Sequence, residues 1–143
     1  FLFSCGFKTI NNKDDNLLFV KEIQINGEKR IGYYLKNEIL LNSTKNGINQ
    51  IKIVLDIAKN KKAKIKDVTG KVSRYEIEFS AQLSILDLNN NFKNKKSFTS
   101  SVDYVVSKNH SDTINAEKKA TQNGMSKLGQ DMGTYLILYY KNK

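Results

Sequence analysis

The stretch KVSRYEIEFSAQLSILDL, residues 71–88, limits the possible folds of this chain more than any other. Tyr75, Ile77, Phe79, Ala81, Leu83 and Ile85 fall on one parity, and Arg74, Glu76, Glu78, Ser80, Gln82 and Ser84 on the other. Successive side chains of a strand point to opposite faces, so this alternation requires a strand with one buried and one wet face. So regular a pattern belongs to an antiparallel sheet that is covered on one side. The rest of the chain must supply its neighbouring strands and the cover.

Three further segments read as strands. LLFVKEIQI puts Leu17, Phe19, Ile23 and Ile25 on one parity and ends at the turn signal Asn26-Gly27. INQIKIVLDIA alternates Ile51, Ile53, Leu55 and Ile57 against mostly polar partners, and the basic stretch KNKKAKIK continues or closes it. After the hairpin loop NNNFKNKK, the segment SFTSSVDYVV places Phe98, Val102, Tyr104 and Val106 on one side.

Two segments change to the helical period. Ile31, Leu35, Ile39 and Asn42, widened by Tyr34 and Leu41, predict a helix of about four turns from Lys29, stopped near STKNG. Ser111 or Asp112 offers an N-cap for a long terminal helix, along which Ile114, Thr121, Met125, Leu128, Met132, Tyr135, Leu136 and Tyr139 recur at helical spacing. Gly124, Gly129 and Gly133 lie inside it, each costing about 1 kcal/mol against Ala, which close packing against the sheet would explain. The expected fold is a two-layer α+β domain in the order β-α-β-β-β-α, a four-stranded, mainly antiparallel sheet with two helices on one face.

The 143 residues suit a single domain, and no apolar run is long enough for a membrane span. With one Cys and one His, an internal disulfide is excluded and a protein-only zinc site or a Cys/His hydrolase is disfavoured. His110 stands beside Asp112 in SKNHSD with no nucleophile in view, which reads as a loop histidine and leaves no catalytic residue to name. The net charge of +10 draws the domain towards phosphates, acidic polysaccharide or an anionic membrane face. The same lysines are also what a broad Asn-, Lys- and Ile-rich composition supplies. The opening residues FLFSCGFK admit two readings, the end of a secretory signal or the start of a buried strand.

The pieces together resemble a known family. LFSC, with Leu2 three before Cys5 and Ser4 one before it, looks like a bacterial lipobox, and CGF is similar to the mature start of LptE, the outer-membrane lipopolysaccharide-assembly lipoprotein. RIGYYLKNEIL resembles the helix 1 segment of alphaproteobacterial members, VSRYEIEFSAQLSILDL their longest strand, and VDYVVSKNHSDTINAEKKATQNGMSKLGQDMGTYLILYY their last strand, loop and terminal helix. The resemblance runs from Cys5 to Tyr140 and rests on these together, since no single motif is very specific. It departs where KTINNKD replaces the proline and tyrosine often found after CGF.

The resemblance implies that residues 1–4 end a signal peptide, 5–16 form a lipidated tether and 17–141 a single LptE-like domain. It implies a non-enzymatic lipoprotein with no cofactor beyond the covalent lipid on Cys5. Each buried CH₂ contributes about 0.8 kcal/mol, so two or three chains would hold it firmly at the periplasmic face of the outer membrane. The implied partners are the LptD β-barrel, which LptE plugs and helps to assemble, and lipopolysaccharide. No nucleic acid is expected, although the α-β-β-β-α order and AEKKA are similar to double-stranded RNA-binding domains. A periplasmic lipoprotein with an unrelated binding or scaffold role is the other alternative.

Lipid phosphates would be gripped by Lys or Arg. The candidates are Lys62, Lys64, Lys66, Lys71 and Arg74 around the turn Asp67 to Gly70, and Lys118 and Lys119 at the start of the terminal helix. Each is more readily read as a solvated or compositional surface charge. The barrel could meet the hairpin tips or the polar strand face carrying Arg74, Glu76, Glu78, Gln82, Thr99 and Asp103. Tyr33, Tyr34, Tyr135, Tyr139 and Tyr140 are expected in the core or at its edge.

Overall fold

The structure, a computed structural model, describes residues 17–142. The lipobox, Cys5 and the tether lie outside the described residues. The elements are β1 (Leu18–Gly27), α1 (Lys29–Leu40), β2 (Asn49–Lys66), β3 (Val72–Asp87), β4 (Lys93–Val105) and α2 (His110–Lys141). They form an α+β fold with one sheet in the order β1-β2-β3-β4. β1 and β2, joined through α1, are parallel, and the two hairpin-connected pairs that follow are antiparallel.

The alternation of β3 is realised as expected. Ile77, Phe79, Ala81, Leu83 and Ile85 are buried on the helix-bearing face, opposite Ile51, Ile53, Leu55 and Ile57 of β2 and beside Tyr104 of β4. The helices close that face with Ile31, Leu35 and Ile39 from α1 and Met125, Leu128, Met132 and Leu136 from α2.

Several details differ from the sequence pattern. In β1 the pairing slips between Val20 and Glu22, leaving Lys21 as an extra residue. A bulge of this kind reverses the parity, so Leu18 and Val20 enter the core before it and Ile23 and Ile25 pack against the core after it; Leu17 packs against the core's edge, and Phe19 does not join it. Leu41 lies just past α1 and is exposed, as are Tyr33 and Ile114, while the other four tyrosines expected at the core lie in it or against it. The N-cap of α2 is Asn109, whose side chain accepts a hydrogen bond from the Ser111 N–H at 3.0 Å, so Ser111 and Asp112 fall inside the first turn and His110 is helical.

The helical glycines divide between two neighbours. A Cβ on Gly124 would stand 2.3 Å from the Phe79 ring, so this glycine is where α2 settles onto the sheet. Gly129 and Gly133 instead face α1, with Glu38 and Asn42 the nearest side chains. Gly27 has φ of +90° and turns the chain from β1 into α1 against the Ile57 carbonyl, a conformation and a closeness that other residues resist.

Candidate functional site

The β2–β3 hairpin carries most of the proposed contact residues because both strands continue past the cover of the helices. Its tip is a tight turn: the Asp67 carboxylate accepts from the Thr69 N–H and hydroxyl and from the Lys71 N–H at 2.6 to 3.0 Å, and Gly70 supplies φ of +86°. The Thr69 hydroxyl is the largest influence holding the Asp67 carboxyl below the ordinary carboxylate value.

On the outer sheet face, cross-strand register brings charges together. Lys62 meets Glu78 at 2.8 Å and Glu76 at 3.9 Å, Lys64 meets Asp103 at 2.6 Å and Glu76 at 3.8 Å, and Arg74 meets Asp103 at 3.8 Å. Hydrogen bonding and attraction from Glu78 raise the Lys62 pKa, and Lys62 lowers that of Glu78. Three of the seven candidate cations are therefore already matched by three carboxylates. Lys66 and Lys71 stand apart at the tip, exposed and outside this network. Lys118 and Lys119 project from α2, on the other side of the sheet.

On that helix side, Lys61 lies 4.5 Å from the centre of the Tyr75 ring and 3.3 Å from a Glu117 carboxylate oxygen. Tyr104 and then Glu117 raise its pKa, against the opposing effect of burial. Beside this pair a cavity of about 270 Å³ opens between the start of α1, β2 and α2. Arg30, Lys59 and Lys118 line it with Ile114 and Met125. The convergence of Arg30 and Lys59 with Lys118 was not readable in the sequence, because the three come from separate elements that only the sheet and the helix layer bring together. Ile114 repeats at core spacing but stands where α2 runs past the beginning of α1, so it borders the cavity.

The outer sheet face also holds a shallow cavity of about 260 Å³ over Val54 and Leu86, edged by Lys52, Lys93 and Lys95. A bowl of small residues, Ala58, Asn60, Ser80, Thr99 and Ser101, lies between it and the charge network. Among the described residues, no group of three or more His, Cys, Asp or Glu could hold a metal ion. No helix among the described residues is long and apolar enough to cross a membrane.

Neither a protein-family description nor a curated protein matches the chain in sequence. Solved structures do share its fold. A candidate lipoprotein from Caulobacter crescentus is similar at 19% identity and a TM-score of 0.57, over 85% of this chain and 92% of that one. The rare lipoprotein B of Shewanella oneidensis is similar at 11% identity and 0.56, over 82% and 98%. The uncharacterized lipoprotein B of Nitrosomonas europaea is similar at 16% and 0.50, over 92% and 88%. At these identities the likeness is one of fold alone.

Proposed function

We propose that this chain is a non-enzymatic lipoprotein of the cell envelope, anchored through Cys5 at the periplasmic face of the outer membrane, where it plugs and supports an LptD-type β-barrel and contacts lipopolysaccharide. The observation that carries the reading is the fold shared with 98% of the Shewanella rare lipoprotein B chain. The lipobox-like LFSC and the resemblance to LptE along the chain support it. Two surfaces are open to a surrounding barrel: the outer sheet face, which neither helix covers, and the hairpin tip. Lys66 and Lys71 at that tip are the cations freest to meet lipid phosphates.

The test is a pull-down of the full-length protein from detergent-solubilised native outer membrane, with the co-purifying proteins identified by mass spectrometry. One large β-barrel protein in equal amount is the expected result. Absence of a barrel, or its replacement by RNA that is lost as salt rises, would overturn the reading.

A further inference from the structure

Strand β2 outruns its neighbour. β1 accompanies it from Asn49 to Ile57, where Gly27 turns the chain away and the Glu28 N–H donates to the Ile57 carbonyl at 3.1 Å. From Ala58 to Lys66, β2 is paired with β3 on one side and with no described strand on the other, and every residue of that stretch is exposed. The backbone groups of a strand alternate in direction, and the Ile57 carbonyl points to the β1 side. The N–H and C=O groups of Lys59 and Lys61 therefore point to the open edge.

An unpaired edge is a template for another strand, and the surrounding side chains decide which strand is accepted. Arg30, Lys59 and Lys118 line the cavity beside this edge together with Glu117, whose carboxylate is engaged by Lys61 at 3.3 Å, and among the described residues none of the three cations makes an ion pair. The first turn of α1 adds no acidic residue, and the Glu28 side chain makes no cap bond to it. Ile114 and Met125 supply an apolar wall.

We propose that an extended acidic segment of a protein partner adds here as a fifth strand beside Lys59 and Lys61, with carboxylates reaching Arg30, Lys59 and Lys118 and an apolar side chain against Ile114 and Met125. A phosphate group would need the cations alone. The row of outward donors and acceptors is complementary to a peptide backbone. The same lysines keep a second copy of this chain off the edge, because two such edges would set like charges side by side. The inference is independent of the barrel reading, asking only that the partner be extended and acidic.

The test uses the full chain, labelled for NMR, and a short peptide of alternating Glu and Val. The peptide is expected to shift the amides of Lys59 and Lys61 and to protect them from hydrogen exchange. The same peptide with alternate amides N-methylated should bind at least about tenfold more weakly, as should the native peptide to Lys59→Glu or Lys118→Glu. Lys61→Pro removes an outward N–H without breaking the β2–β3 ladder and should abolish protection. Equal binding of the N-methylated peptide would reduce the site to charge attraction and overturn the proposal without relying on any variant. Shifts mapping elsewhere, or none up to about 1 mM peptide, would do the same. Displacement of the peptide by inorganic phosphate or by anionic phospholipid vesicles with the same amides shifted would also overturn it, assigning the cavity to phosphate.

Discussion

At the scale of single residues, the hairpin separates charges that share a sequence neighbourhood. Lys62, Lys64 and Arg74 face Glu76, Glu78 and Asp103 because residues two apart on a strand share a face and the register sets them opposite. Exposed pairs of this kind contribute little to stability, so their main effect is to neutralise the cations. Lys66→Glu with Lys71→Glu should therefore weaken lipopolysaccharide binding several-fold, roughly the size of lost charge-assisted contacts, and more than Lys62→Ala with Lys64→Ala does. Binding to immobilised lipopolysaccharide checks the order, and the reverse order would remove the tip from the candidate site. The Asp67 carboxyl offers a separate reading of the same turn. Its folded pKa is depressed, so its contribution to the turn is present above the usual value of 3.8 and is lost as pH falls through the lower folded value. A carboxyl NMR titration should show a midpoint below 3.8 that moves back towards it in Thr69→Val, which deletes the largest cause.

At the scale of elements, two strands of the same alternating texture end differently because their neighbours end differently. β3 remains flanked along its length by β2 and β4. β2 loses β1 at Ile57, and the lysines that follow it stand on an open edge, where charge also discourages indiscriminate pairing. The seat of α2 on the sheet is similarly local. Gly124→Ala would drive a methyl group into the Phe79 ring, at 2.3 Å from its nearest carbon, and Phe79 is itself fully buried. A destabilisation of about 1–3 kcal/mol is expected, read as a lower urea midpoint with the slope unchanged. Gly133→Ala, whose nearest neighbour would be Asn42 at 3.4 Å, should cost little or be neutral. Equal effects at the two positions would contradict this division of the helix between sheet and α1.

At the scale of the whole molecule, the excess of positive charge is distributed unevenly. The outer-face network is balanced, and among the described residues the hairpin tip, the lysines along β4 and the cavity between α1, β2 and α2 are places where cations outnumber carboxylates. Attraction to an anionic surface is thus concentrated at a few sites. In the proposed function these sites are held near the membrane by the lipid on Cys5. Cys5→Ser should release the protein into the soluble periplasmic fraction, because no described helix can serve as an alternative membrane span. Fractionation followed by immunoblotting checks this, and retention of the variant in the membrane would count against the anchor.

The element order, the covered face and most of the core were legible in the amino-acid sequence, because a period of two and a period near 3.6 are local properties of side-chain direction. Tyr75 to Ile85 and Leu128 to Leu136 needed no knowledge of their neighbours to declare which face was apolar. The exceptions arose where a contact between distant segments intervened. The bulge at Lys21 keeps β1 in register with β2 while reversing its parity, and Ile114 kept core spacing but borders the cavity at the start of α1. The resemblance to a lipoprotein family also lay in the sequence, in LFSC and in the texture of the chain. Which cations are paired, which are left over, and that Arg30, Lys59 and Lys118 share one cavity beside an open strand edge were decided only by the tertiary structure, since register and packing bring together residues whose sequence spacing carries no such signal.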